Sequence, residues 1–177
     1  LVLIQHPVTT EYANCEEQMN ETLEAIQQVG IQTILLYPNP DAGASKMLKA
    51  ERAFSGRYKN KSVILAKYKN LPFKNYLNIL RHCSCLVGNS SSGIREAHIF
   101  NIPVVNIGTR QEGRERTENI IDVSHNKNEI AYAIKKVKNK KFQCYNPYGD
   151  GIAGLKIADI LAQNDLKKAL NKRFYNG

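Results

Sequence analysis

The side chains best suited to chemistry lie in Gly88-Asn89-Ser90-Ser91-Ser92-Gly93-Ile94-Arg95-Glu96-Ala97. This stretch follows the apolar run Cys83-Ser84-Cys85-Leu86-Val87 and opens a helical pattern through Phe100. A strand that ends in a Gly/Ser turn and starts a helix leaves several backbone N–H groups unpaired, and the helix dipole adds positive charge beside them. Such a turn suits a phosphate or diphosphate. Ser90 and Ser91 can add hydroxyl donors, and Glu96, about one and a half turns on, is placed to accept both hydroxyls of a ribose. The motif is neither Gly-Lys-Ser/Thr nor G-x-G-x-x-G. The same residues would also serve as a capped helix start with small side chains for close packing.

A second group lies in separate loops. His6 sits in Gln5-His6-Pro7-Val8-Thr9-Thr10, Asn39 in Pro38-Asn39-Pro40-Asp41-Ala42-Gly43, and Leu71 in Lys69-Asn70-Leu71. Arg110, Arg114 and Arg116 share the polar loop Gly108 to Thr117, where guanidinium groups suit phosphate oxygens or simply face solvent. A lone loop histidine such as His6 usually just hydrogen-bonds nearby. His82, His98 and His125 fall in or beside helices, away from these loops.

The elements that must position these loops follow from the apolar pattern. Strands are predicted over Leu1–Gln5, Ile31–Tyr37, Ser62–Ala66, Cys83–Val87, Ile102–Ile107 and Asn119–Val123. Between them lie a helix capped at Asn14 and Glu17 that stops at Gly30, one through Met47, Leu48 and Phe54 that stops near Gly56, and one opening at Pro72. A helix lies within Ser124–Asn139, and two terminal helices span 152–163 and 166–174. Strand and helix alternate, which argues for a doubly wound parallel sheet of the Rossmann-like α/β class. In such sheets ligands bind at the carboxyl ends of the strands. His6, Asn39, Leu71, Ser90 and Arg110 all fall there.

Bulk properties narrow the classes. The 177 residues fit one domain, 1–177, with no repeat and no internal boundary. Lys plus Arg number 25 against 16 Asp plus Glu, a formal charge of +9. No aromatic-studded basic stripe accompanies that charge, so nucleic acid is not the expected partner. The run Lys135-Lys136-Val137-Lys138-Asn139-Lys140-Lys141 closes an amphipathic helix, where cations favour the dipole. No apolar run reaches membrane-span length, and no membrane partner is expected. Cys15, Cys83, Cys85 and Cys144 show no zinc or C-x-x-C spacing and read as free thiols, which favours the cytoplasm. No carboxylate cluster waits for a metal, and no cofactor is expected. The chain starts in mid-fold without Met, as expected for a fragment of a longer protein.

The His6, Asn39 and Ser90 stretches, together with Gly108-Thr109-Arg110-Gln111 and Gly113-Arg114-Glu115, resemble the hydrolysing UDP-N-acetylglucosamine 2-epimerases. The resemblance runs to Tyr148-Gly149-Asp150-Gly151 and corresponds to the C-terminal, nucleotide-binding half of a GT-B-type two-domain fold. It implies elimination of UDP from the substrate, then hydration to N-acetylmannosamine, at the start of sialic acid synthesis. It also implies a homo-oligomer, and acid/base carboxylates supplied by an N-terminal domain that this chain lacks. By the same resemblance Ser90 and Ser91 hold the diphosphate, Glu96 the ribose and the Leu71 backbone the uracil. Asn39 and Arg110 line the nucleotide site, and His6 stands at the sugar–diphosphate junction as the catalytic residue. The Gly-Thr-Arg-Gln stretch favours hydrolysing members, since non-hydrolysing ones usually carry Arg-Pro-Glu near Arg116-Thr117-Glu118. A non-hydrolysing epimerase and the donor domain of a GT-B glycosyltransferase are the alternatives.

Overall fold

The computed structural model describes residues 1–59, 61–138 and 140–164. Six strands, β1 (Val2–Ile4), β2 (Thr33–Leu36), β3 (Ile64–Tyr68), β4 (Leu86–Gly88), β5 (Val104–Ile107) and β6 (Ile120–Val123), form one sheet in the order β3-β2-β1-β4-β5-β6. Every neighbouring pair is parallel. The expected doubly wound α/β architecture is therefore present.

Alternation along β1 explains its central place. Leu1 and Leu3 face one way, into a cluster with Met19, Leu23 and Ile26 of α1 (Cys15–Val29), Met47 and Phe54 of α2 (Ala44–Arg57), and Ile130 and Ile134 of α5 (Lys127–Val137). Val2 and Ile4 face the other way, against Leu80 of α3 (Phe73–His82), Ala97 and Val104. A strand covered on both faces is apolar throughout, and Val2, Leu3 and Ile4 are all buried. The strand order reverses between β1 and β4, and the crossovers diverge there.

Several elements differ from their predicted bounds. The α2 helix runs one residue past Gly56 to Arg57, where the Tyr58 ring packs at a tilt on Phe54 with ring centroids 4.7 Å apart. The β3 strand lies two residues later than predicted, in register with β2 from Thr33↔Ile64 to Leu36↔Tyr68 and with an irregularity beside Thr33. As an edge strand it has no buried residue, and Leu65, Lys67 and Tyr68 are exposed, which weakens its sequence signal. The Asn14 side chain makes no cap bond; a 3₁₀ turn over Thr9–Asn14 leads into α1 instead.

The largest difference follows the serine turn. The helix there, α4, is a single turn, Ser92–Arg95, and a 3₁₀ segment, Ala97–Phe100, follows it. Gly93 lies so close to β5 that a Cβ would stand 2.8 Å from Val104 Cγ1. Ile102 N–H meanwhile bonds the Ala97 carbonyl and turns the chain directly into β5. One turn carries little macrodipole, so any anion affinity rests on individual donors rather than on a long helix.

Residues Leu1–Tyr145 make one compact unit, and the described residues from Asn146 on belong to a second. Within the second, α6 (Ala153–Gln163) follows a turn in which Asp150 accepts the Ile152 N–H at 3.1 Å and pairs with Lys156. The terminal helix expected over 166–174 lies outside the described residues. No helix among the described residues is long and apolar enough to cross a membrane, and all four cysteines are unpaired.

Candidate functional site

The site begins at the reversal point. Gly88 ends β4 with φ of +125°, and a Cβ there would stand 2.0 Å from the Ile4 carbonyl oxygen. Only glycine lets β4 close on β1 at this point. Asn89 follows at 1% exposure and joins the two strand ends. Its N–H donates to the Ile4 carbonyl, its Oδ1 accepts the His6 N–H at 2.6 Å, and its Nδ2 donates to the His6 carbonyl at 2.8 Å. A side-chain amide thus continues the parallel ladder by one step.

That clamp sets His6 at the mouth of a cavity of about 410 Å³ at the carboxyl ends of the strands. His6, Asn39, Leu71 and Ser90 all line it, as the loop positions predict, together with Tyr37, Lys69, Phe73, Tyr76 and Ser92. The volume lies in the range of small-ligand pockets. Ser91, Glu96 and Arg110 are not among its lining residues. Ser91 stands between two residues that are, while Arg110 reaches the same strand ends through the Asn89 carbonyl, to which its Nη1 donates at 3.2 Å.

The His6 ring has one defined partner. Asn39 N–H donates to its Nδ1 at 3.0 Å, which requires that nitrogen to be unprotonated and leaves the proton of the neutral ring on Nε2. Burial, then the Arg110 charge, lowers the His6 pKa to about 4 against a smaller opposing effect of Asp41. The ring is neutral at pH 7. Arg110 is itself pulled down by burial but raised by Asp41, so the loop after β2 faces the loop after β5.

Around the serine turn the donors are local. Ser90 and Ser91 N–H groups have no intramolecular partner among the described residues, while Ser92 N–H is held by Ser90 Oγ at 3.3 Å. Tyr76 Oη hydrogen-bonds Ser92 Oγ and ties α3 to the turn. Burial, the largest influence, pushes the Tyr76 phenol up to about 12, and the Glu96 carboxylate adds to that shift. Glu96 is half-buried at the break between α4 and the 3₁₀ segment. Its carboxylate therefore acts on the Tyr76 side of the turn. The described residues contain no group of three or more His, Cys, Asp or Glu able to hold a metal.

The profile of the UDP-N-acetylglucosamine 2-epimerase family matches residues 1–162. The chain belongs to this family. It is 34% identical over 173 residues to a UDP-N,N'-diacetylbacillosamine 2-epimerase (hydrolyzing) of Legionella pneumophila, covering 97% of the chain and 45% of that relative. It is 31% identical over 147 residues to a UDP-N-acetylglucosamine 2-epimerase of Neisseria meningitidis, covering 82% and 37%. Among solved structures, the Methanocaldococcus jannaschii UDP-GlcNAc 2-epimerase in complex with UDP-GlcNAc and UDP superposes with a TM-score of 0.71 at 22% identity. That superposition covers 92% of this chain and 45% of the other. The chain thus spans less than half the length of these epimerases.

Three residues of this epimerase-family site were not singled out by sequence reasoning. Asn89 falls inside the Gly88–Ala97 stretch, Tyr76 in the helix that opens at Pro72, and Lys69 in the loop before it. An amide following a strand-ending glycine is the only local signal for the first. A tyrosine at a helix position facing a serine turn is invisible until the fold brings α3 and α4 together.

Proposed function

We propose that this chain is the UDP-sugar-binding half of a hydrolysing UDP-N-acetylglucosamine 2-epimerase. The observation that carries the reading is the convergence of His6, Asn39, Leu71 and Ser90 on one cavity at the β1/β4 reversal. Family membership supports it, as does the hydrolysing description of two relatives, from Legionella pneumophila and Campylobacter jejuni.

In this reading the uracil lies against the Leu71 backbone and Phe73, and Glu96 accepts from the ribose hydroxyls. The free Ser90 and Ser91 N–H groups, with Ser90 Oγ, bind the diphosphate. Arg110 supplies a guanidinium that needs only to turn from the Asn89 carbonyl toward the phosphate oxygens. Elimination removes the C2 proton, forms the C1–C2 double bond and breaks the bond from C1 to the diphosphate oxygen. Water then adds across that double bond, placing hydroxyl on C1 and hydrogen on C2. The departing oxygen gains negative charge, and a preorganised donor there lowers the barrier. Neutral His6 offers Nε2–H for that role, its ring already fixed through Nδ1. The base at C2 comes from a second domain, as does water exclusion over the sugar.

Product analysis tests the reading. The chain alone should show no turnover of UDP-N-acetylglucosamine, and an epimerase containing it together with a catalytic N-terminal half should release UDP and N-acetylmannosamine. Release of UDP-N-acetylmannosamine instead would make it non-hydrolysing, and UDP release only with an acceptor sugar would make it a glycosyltransferase.

A further inference from the structure

We propose that Asn89 is a positioning residue for His6: its side-chain amide fixes the His6 backbone, and through it the ring, against the loop after β2. The inference rests on the reading of His6 as the group that meets the leaving diphosphate, and it adds the residue that holds it there.

The geometry is reciprocal. The amide both accepts from the His6 N–H and donates to the His6 carbonyl, at 2.6 and 2.8 Å, across 83 residues of sequence. Two bonds in opposite senses fix the rotation of the His6 backbone as well as its distance. With the backbone held there, the His6 ring accepts the Asn39 N–H at 3.0 Å. Among the described residues no other hydrogen bond holds the His6 peptide groups.

Asn89 is itself braced. Gln111, 1% exposed, donates Nε2 to the Asn89 carbonyl at 2.8 Å, and Arg116 Nη2 holds the Gln111 carbonyl at 3.0 Å while Nη1 pairs with Asp122. Arg110 is the second donor on the same Asn89 oxygen. When Arg110 leaves for a phosphate, Gln111 keeps the Asn89 peptide paired. The Asn89 backbone, from which the side-chain amide projects, is therefore held whether or not Arg110 is engaged elsewhere, which a positioning group requires.

The test reads the His6 ring directly in this chain by ¹⁵N-edited NMR of labelled histidine, with His6→Gln assigning the signal and no nucleotide present. In the wild-type chain the ring should titrate near 4, with Arg110 and Asp41 as the charges acting on it. In folded Asn89→Ala the midpoint should rise by about one unit or more toward the ordinary histidine value near 6.5. In an epimerase containing the chain, the same variant should lower kcat about tenfold with KM changed less than about threefold. A folded Asn89→Ala chain whose His6 midpoint is unmoved, with only its melting temperature lowered, would overturn the proposal. Should the alanine variant not fold, Asn89→Ser, which retains one polar atom, is read by the same criterion. Failure of both to fold would make Asn89 a folding residue and overturn the narrower role. The titration needs no ligand, so weak UDP binding would count against the proposed function and leave this inference standing.

Discussion

Asn39 N–H and His6 Nδ1 meet at 3.0 Å across 33 residues, joining the loop after β2 to the loop after β1. One backbone donor sets the tautomer of the only histidine lining the cavity among the described residues. The bond is available only to the neutral ring protonated on Nε2, so protonating His6 at Nδ1 breaks it.

Stability should therefore fall with pH through a defined window. The unfolded chain takes up the His6 proton near 6.5, whereas the folded chain does so only near 4. Between those values the unfolded state binds more protons, so this part of the stability is complete above about 6.5 and is lost as pH falls toward 4. Denaturant midpoints at pH 7.5, 5.5 and 4.5 should drop less in His6→Gln than in the wild-type chain. Equal drops would assign the acid sensitivity elsewhere.

Much of this arrangement was legible beforehand. Strand–helix alternation carried the doubly wound sheet, because β1, β4 and β5 are buried on both faces and read as mainly apolar runs, Asn106 excepted. Four loop positions converged as the fold class requires. The break at Glu96 was not legible, since Ser92 to Phe100 has an acceptable helical pattern and the early turn goes with tertiary features, the closeness of Gly93 to Val104 and the Ile102 N–H bond to the Ala97 carbonyl. The Asn89 clamp was likewise hidden. It depends on bringing together His6 and Asn89, 83 residues apart, which no local spacing encodes.

Gly88→Ala should be among the most damaging single-methyl changes in the chain. The added carbon would meet the Ile4 carbonyl at 2.0 Å in a backbone region that L side chains rarely adopt. Strain and displacement of β4 from β1 should together cost at least about 3 kcal/mol. Chemical denaturation measures it, and a loss below about 1 kcal/mol would show that the strand ends separate easily.

Glu96→Ala should cost about 1–3 kcal/mol of UDP binding, the range for losing a charged hydrogen-bond acceptor. Its position at the end of a one-turn helix, beside Tyr76, makes this a sharp test of reach. Calorimetry on the variant should show roughly a fivefold to 150-fold weaker affinity. Unchanged affinity would place the ribose away from this carboxylate.

In the proposed function the cavity between the His6, Leu71 and Ser90 loops holds a uridine diphosphate. Isothermal titration of the chain with UDP and with ADP, in a buffer containing a chelator, tests it directly. The donors assigned to the diphosphate are Ser90, Ser91 and Arg110, so UDP should bind with the chelator present, and the base contact at Leu71 should make it bind at least about tenfold tighter than ADP. Equal affinity for the two nucleotides, or no UDP binding at all, would contradict the account.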